Sequence, residues 1–179
     1  MDFVLLMSPV LIIPLVSIVM LWVGNSDISE RHHSHHDTYV VPSVFSWVLV
    51  TSVVFMGALG ILLGWLCMLT VFVGDIFVVF SFFDAFLITV FVLWLAIRRY
   101  KVVTFDDRLE VTPFLGPTST VRYADISAME WTKSVLIPNG RNIHVFVGHR
   151  RCAMLWATID LDQILIRTNR FDAIESLRS

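Results

Sequence analysis

Cysteine is scarce in this chain. Two residues, Cys67 and Cys152, in 179 exclude the disulfide framework that staples small secreted domains. Charge is nearly missing from the first half. Residues 1–97 hold one cation, Arg31, against six acids, Asp2, Asp27, Glu30, Asp37, Asp75 and Asp84, a local net charge of −5. Residues 98–179 hold twelve Lys/Arg and nine Asp/Glu, a net of +3. Charged residues make up 16% of the chain, against about 25% in soluble domains. That composition excludes an ordinary soluble enzyme and a disordered chain. The overall charge of −2 excludes nucleic-acid binding driven by net charge.

Catalytic signatures are also lacking. The sequence has no Gly-rich phosphate loop, no HExxH and no carboxylate pair of useful spacing. Cys67 falls in an apolar run and Cys152 in an alternating apolar pattern, so neither reads as an activated thiolate. Six Trp and fourteen Phe lie largely in or beside the apolar runs, as membrane filling or interfacial anchors rather than a cofactor box. We expect no enzyme, no cofactor and no resident metal.

Long apolar runs are what the chain has in plenty: 56% of it is hydrophobic and its mean hydropathy is +0.76. Three runs, about 3–23, 45–73 and 76–97, are each long enough to cross a hydrocarbon core of about 30 Å. The first opens on Met1-Asp2, without the basic start and small-residue cleavage site of a signal peptide, and carries Pro9 and Pro14. Gly74-Asp75 is the turn between the second and third, which makes them a helical hairpin. The third stops at Arg98-Arg99-Tyr100-Lys101. Basic residues collect on the cytoplasmic side of membrane spans, so the chain after residue 98 is expected inside, the N-terminus outside, and a histidine-rich loop 24–43 inside.

Within the spans, two features stand out. Asp84 lies about eight residues, on the order of 10 Å, inside the third span. No Lys, Arg or His falls in any span to pair with it. It reads as a polar clasp, in neutral form on a hydroxyl or carbonyl with Ser81 one turn away, or as a proton or ion relay. Gly57, Gly60 and Gly64 share one face of the second span, and small residues let helices approach closely. Their partner is a span of the same chain or another copy. In the loop, His32, His33, His35 and His36 with Asp37 read as a solvated polar segment, as a pH- or lipid-responsive one, or as a Zn, Ni or Cu site.

From Tyr100 the apolar pattern switches to alternation. Strands are expected around Val103–Phe105, Leu109–Val111, Thr118–Tyr123, Ile126–Trp131, Ile143–Val147 and Cys152–Ala157. The turns fall at Asp106-Asp107, Pro113–Pro117, Pro138-Asn139-Gly140 and Gly148–Arg151. A helix follows, with Asp160 as N-cap and Gln163 three residues on. Phe171, Ile174 and Leu177 continue its spacing to the end. Arg141, His149, Arg150 and Arg151 form a basic patch without nearby acids, a candidate for anionic lipid or an acidic partner. The first hairpin offers Lys101 and Arg108 but offsets them with Asp106, Asp107 and Glu110, which argues against a phosphoinositide cradle.

These elements resemble a family of small bacterial three-span membrane proteins with a C-terminal pleckstrin-homology-like domain. The resemblance runs over about residues 40–179. It rests on Arg98-Arg99-Tyr100-Lys101, Val102-Val103, Asp106-Asp107 with Leu109, Thr112-Pro113, Gly116, Tyr123-Ala124-Asp125-Ile126 and Val145–Arg150. The resemblance implies three transmembrane helices (1–99) and a cytoplasmic β-rich domain closed by a helix (100–179). It implies a multi-pass inner-membrane protein but supplies no chemistry. We therefore expect a non-enzymatic, membrane-tethered interaction or scaffold module. Its partners would be membrane lipids and a protein, with homo-oligomers possible and no nucleic acid. The alternative is a subunit of a small transporter or channel using Asp84 and the Gly60/Gly64 face.

Overall fold

The computed structural model describes residues 3–23, 30–33, 36–134, 137–169 and 173–175. The chain divides into two compact units, each assembled from two stretches: Met1–Asp27 with Ser43–Ile97, and Ile28–Pro42 with Arg98–Ser179.

The first unit is helical: α1 Phe3–Val23, α2 Ser43–Met68 and α3 Ile76–Arg99. α2 and α3 are long and apolar enough to cross a membrane. α1 runs 21 residues with Pro9 and Pro14 inside it. α2 stops five residues short of the expected run, for a local reason. Thr70 adopts a left-handed conformation, φ 57°. The amide of Thr70 then donates to the Cys67 carbonyl and that of Val71 to the Leu66 carbonyl, at 3.1 and 3.2 Å. This paired closure satisfies carbonyls that a helix end leaves unpaired, and it normally uses Gly. A Thr there hides the stop from sequence. Asp75 restarts the chain by accepting the Phe77 amide at 2.8 Å. The core of this unit draws Val10 from α1, Val53 from α2, and Phe80, Phe83 and Leu87 from α3 into one cluster.

The second unit is β-rich. One sheet has the order β1 Glu30–His33, β2 His36–Val40, β3 Lys101–Phe105, β4 Arg108–Thr112, β5 Ser119–Arg122, antiparallel throughout. A second sheet orders β8 Arg150–Leu155, β7 Arg141–Val147, β6 Ala128–Lys133 and β9 Ile174–Glu175, the last pairing parallel to β6. Six of these strands, β3 to β8, fall where the alternation and turns place them. Asn139 and Gly148 take φ of 62° and 61° in the β6–β7 and β7–β8 connections, the backbone that tight turns between strands require.

Alternating side chains of both sheets form one core, including Tyr39, Val102, Leu109, Val121, Met129, Ile143, Val145 and Leu155. α4 Leu161–Thr168 contributes Leu161, Ile164 and Leu165 to it. Asp160 caps α4, its Oδ1 accepting the amides of Asp162 and Gln163 at 3.1 and 3.2 Å. Tyr100, 1% exposed, stitches the sheets together. Its hydroxyl accepts the Trp156 amide at 3.0 Å and donates to the Met154 carbonyl at 3.3 Å, while its ring stacks on Phe114 at 4.7 Å.

Two segments depart from the sequence expectation. Residues 30–33 and 36–40, expected as part of a polar loop, pair as β1 and β2 and belong to the β-rich unit. The driving residue is Tyr39, 3% exposed, whose burial draws β2 against β3. At the other end, Ile174 is in a strand opposite Met129 rather than on a continued helix. Asn169, φ 47°, ends α4 by donating its amide to the Leu165 carbonyl. Phe171 and Leu177 lie outside the described residues.

Candidate interaction site

The basic patch read from sequence is not one patch. Arg141 opens β7 opposite Lys133, whereas Arg150 pairs with Val147 and Arg151 with Phe146 at the far end of the same strand. Six residues of extended chain separate the two ends by about 20 Å. His149, Arg150 and Arg151 stay together at the β7–β8 turn, all three exposed. Arg141 is corrected out of the group.

What adjoins that turn was missed. Val147 and Cys152, which flank it, line an open groove of about 560 Å³ together with Arg108, Thr120, Arg122 and Asp125. Arg108 and Arg122 are Cα partners across β4 and β5. Two cations directly opposite repel, and the surroundings compensate Arg108. Its Nε lies 3.2 Å from Glu110 and its Nη1 3.8 Å from Asp107, and the guanidinium sits 4.4 Å from the Phe105 ring centroid. Arg122 is exposed. Strand parity held the signal: Leu109 and Val121 face the core, so their neighbours Arg108 and Arg122 must share the outer face. The groove and turn together are polar, with cations and carboxylates interleaved.

The histidine segment has a defined place. His33 pairs with His36 and His32 with Asp37 in the β1–β2 register; His35 lies outside the described residues. His36 stacks on Phe105, centroids 5.7 Å apart. Arg167 of α4 reaches Asp37 at 3.7 Å and Asp106 at 3.1 Å, so one guanidinium ties β2 to the β3–β4 turn. Among the described residues no three His, Cys, Asp or Glu are grouped to hold a metal.

Burial sets the titration of three groups in this unit. It pushes the Tyr100 hydroxyl up, with the Trp156 amide opposing. It pushes up that of Tyr123 too, which donates to the Phe105 carbonyl at 2.7 Å. His144 is held below its ordinary value, first by burial and then by Arg151, with Glu130 opposing.

In the helical unit, the three glycines of α2 face both neighbours. A Cβ at Gly57 would lie 2.6 Å from Pro14 Cγ of α1, and one at Gly60 2.9 Å from Phe83 Cγ of α3. At Gly64 it would run into the Phe80 ring. Asp84 is 9% exposed on the α3 face that also buries Phe80, Phe83 and Leu87. Its Oδ1 has no hydrogen-bond partner among the described residues, and Ser81, the hydroxyl expected to serve it, is exposed. Comparison of the chain with known proteins finds no matching family, no similar curated protein and no similar solved structure.

Proposed function

We propose that the chain is a multi-pass inner-membrane protein in which α1, α2 and α3 are three spans and the β-rich unit is a pleckstrin-homology-like interaction module on the cytoplasmic face. The module works without catalysis, holding a protein partner at the membrane. One observation carries the reading: β2 and β3 share a ladder of five pairs, from His36–Phe105 to Val40–Lys101. β2 ends two residues short of α2, and β3 begins one residue beyond α3. Paired strands cannot lie on opposite sides of a bilayer. The two helices therefore cross as a hairpin whose ends are sewn into one module. Lipid is the solvent that suits their surfaces: Phe55, Trp65, Phe82 and Val92 are each more than half exposed. Arg98, Arg99 and Lys101 at the end of α3 favour the cytoplasmic side for the module.

The partner surface on this reading is the groove with the His149–Arg151 turn. Its interleaved charges suit an acidic or mixed-charge protein segment, as charge complementarity selects partners and register. Photo-crosslinking residues placed at Thr120, His149 and Arg141 of the full-length protein in its native membrane test this. Discrete adducts at Thr120 and His149 but not at Arg141 are expected. Equal adducts at all three positions, or none, would overturn the assignment.

A further inference from the structure

Asp84 is the one carboxyl in the three helices, and Phe80, Phe83 and Leu87, buried on the same face of α3, are apolar. α1 carries no titratable side chain, α2 carries only Cys67, and α3 carries Arg98 and Arg99 at its far end. Those arginines are about fourteen residues, on the order of 20 Å, along the helix from Asp84. Two hydroxyls of the helices are committed to their own backbone. Thr89 donates to its own Ala85 carbonyl at 2.7 Å and Ser52 to Val48 at 2.9 Å. Ser17 is fully buried on α1 with its own hydroxyl unpartnered among the described residues. An ionised carboxylate without a counter-charge, a donor or water costs several kcal/mol in such surroundings. Its charge has to be neutralised by something small.

The donor set decides what. A divalent cation takes six or more oxygen ligands, and a monovalent metal ion likewise needs a cage of oxygens to replace its water. Asp84 supplies a single carboxyl among Phe80, Phe83 and Leu87. A proton needs one oxygen only, and it converts the group to a neutral acid that carries both a donor and an acceptor. We propose that Asp84 is a single-proton binding site inside the helical unit. Binding forms one O–H bond on the carboxylate; release returns the proton to water and leaves a charge that the packed helices cannot hold. Occupancy of the site is thereby coupled to how tightly α3 packs. With no second ionisable group beside it, the site loads and unloads from one place rather than passing protons along a wire. This inference stands independently of the partner reading of the β-rich module.

The experiment uses the full-length protein in phospholipid vesicles at neutral pH, treated with a lipid-soluble carbodiimide that reacts with protonated carboxyls. Mass spectrometry locates the adduct. Modification is expected at Asp84 and not at Asp75, the exposed carboxyl nine residues away, and addition of sodium or calcium leaves it unchanged. An infrared carbonyl band of a protonated acid, present in the wild type and absent from Asp84→Asn, is the second reading and needs no reagent access. Absence of both adduct and band overturns the proposal. So does suppression of labelling by either metal ion, which would make the site a metal site.

Discussion

Tyr39 and Val102 lie directly opposite each other across the β2–β3 ladder, 63 positions apart in the chain, and both are buried in the core of the β-rich unit. The segment before α2 thus supplies a wall of the core that the segment after α3 builds. Residues 98–179 alone would leave the β3 edge open and a hollow where the Tyr39 ring belongs. Truncating a buried aromatic to Ala costs about 3–5 kcal/mol, and Tyr39→Ala should fall in that range by chemical denaturation of the full chain. The module produced as 98–179 should melt lower than the same module with 28–42 fused ahead of it through a flexible linker. Equal melting temperatures would show that the hairpin is ornament.

The shared ladder also fixes which surfaces lie together. In a background with Cys67 and Cys152 replaced by Ser, single cysteines at Thr38, Asn139 and Val73 report sidedness to a membrane-impermeant maleimide. Thr38 and Asn139 should label from the same side, and Val73, in the turn between α2 and α3, from the other. On intact cells only Val73 should label. A chain in which Thr38 and Asn139 differed would break the pairing on which the topology rests.

Strand alternation made β3 to β8 legible from Lys101 onward, because each strand has one face in the core and a turn signal at each end. The β1–β2 hairpin was not legible. Among its residues only Tyr39 and Val40 are apolar, and its partner strand lies beyond two helices, so nothing local announces it. The register also separated Arg141 from Arg150 and brought in Arg122, since sequence neighbours at a turn are close but the two ends of one strand are not. Where α2 stops was hidden for a different reason: Thr70 occupies a backbone conformation that sequence reading assigns to Gly. The glycine face itself was plain from spacing, but its partners, Pro14, Phe80 and Phe83, come from two helices and needed the packing to be seen.

Those partners make a graded prediction. At Gly64 an added methyl meets the Phe80 ring, and Phe80 is fully buried, so the ring has little room to yield. Overpacking of this kind costs typically 1–3 kcal/mol. Gly64→Ala should lower the melting temperature of the detergent-solubilised protein, and Phe80→Leu in the same chain should recover part of the loss. Ala58→Gly, at an exposed position on the same helix, should show no such coupling with Phe80. Additive effects for Gly64 and Phe80 would mean that the two do not touch.

Acid should loosen the β-rich unit through His144. The residue sits on β7 opposite Glu130 of β6 and Met154 of β8, with Thr132 Oγ1 3.4 Å from its Nδ1. Burial, then Arg151, depress its affinity for a proton below the ordinary value of 6.5, and Glu130 only partly restores it. The unfolded chain therefore binds the proton more readily than the folded one, so stability rises with pH across the interval between the two values. The contribution is complete above the ordinary value and is lost as pH falls through the folded one. Thermal melts of the full chain from neutral pH down to about pH 5, the lower end of the histidine range, should show a decline that His144→Gln makes shallower. Arg151→Met removes the second cause of the depression and should flatten the decline in the same sense, though less. The comparison is between variants, so that every other contribution to the pH dependence is common to all of them. If Arg151→Met instead steepened the acid loss, the positive charge beside the imidazole would be acting with the opposite sign to the one its position requires.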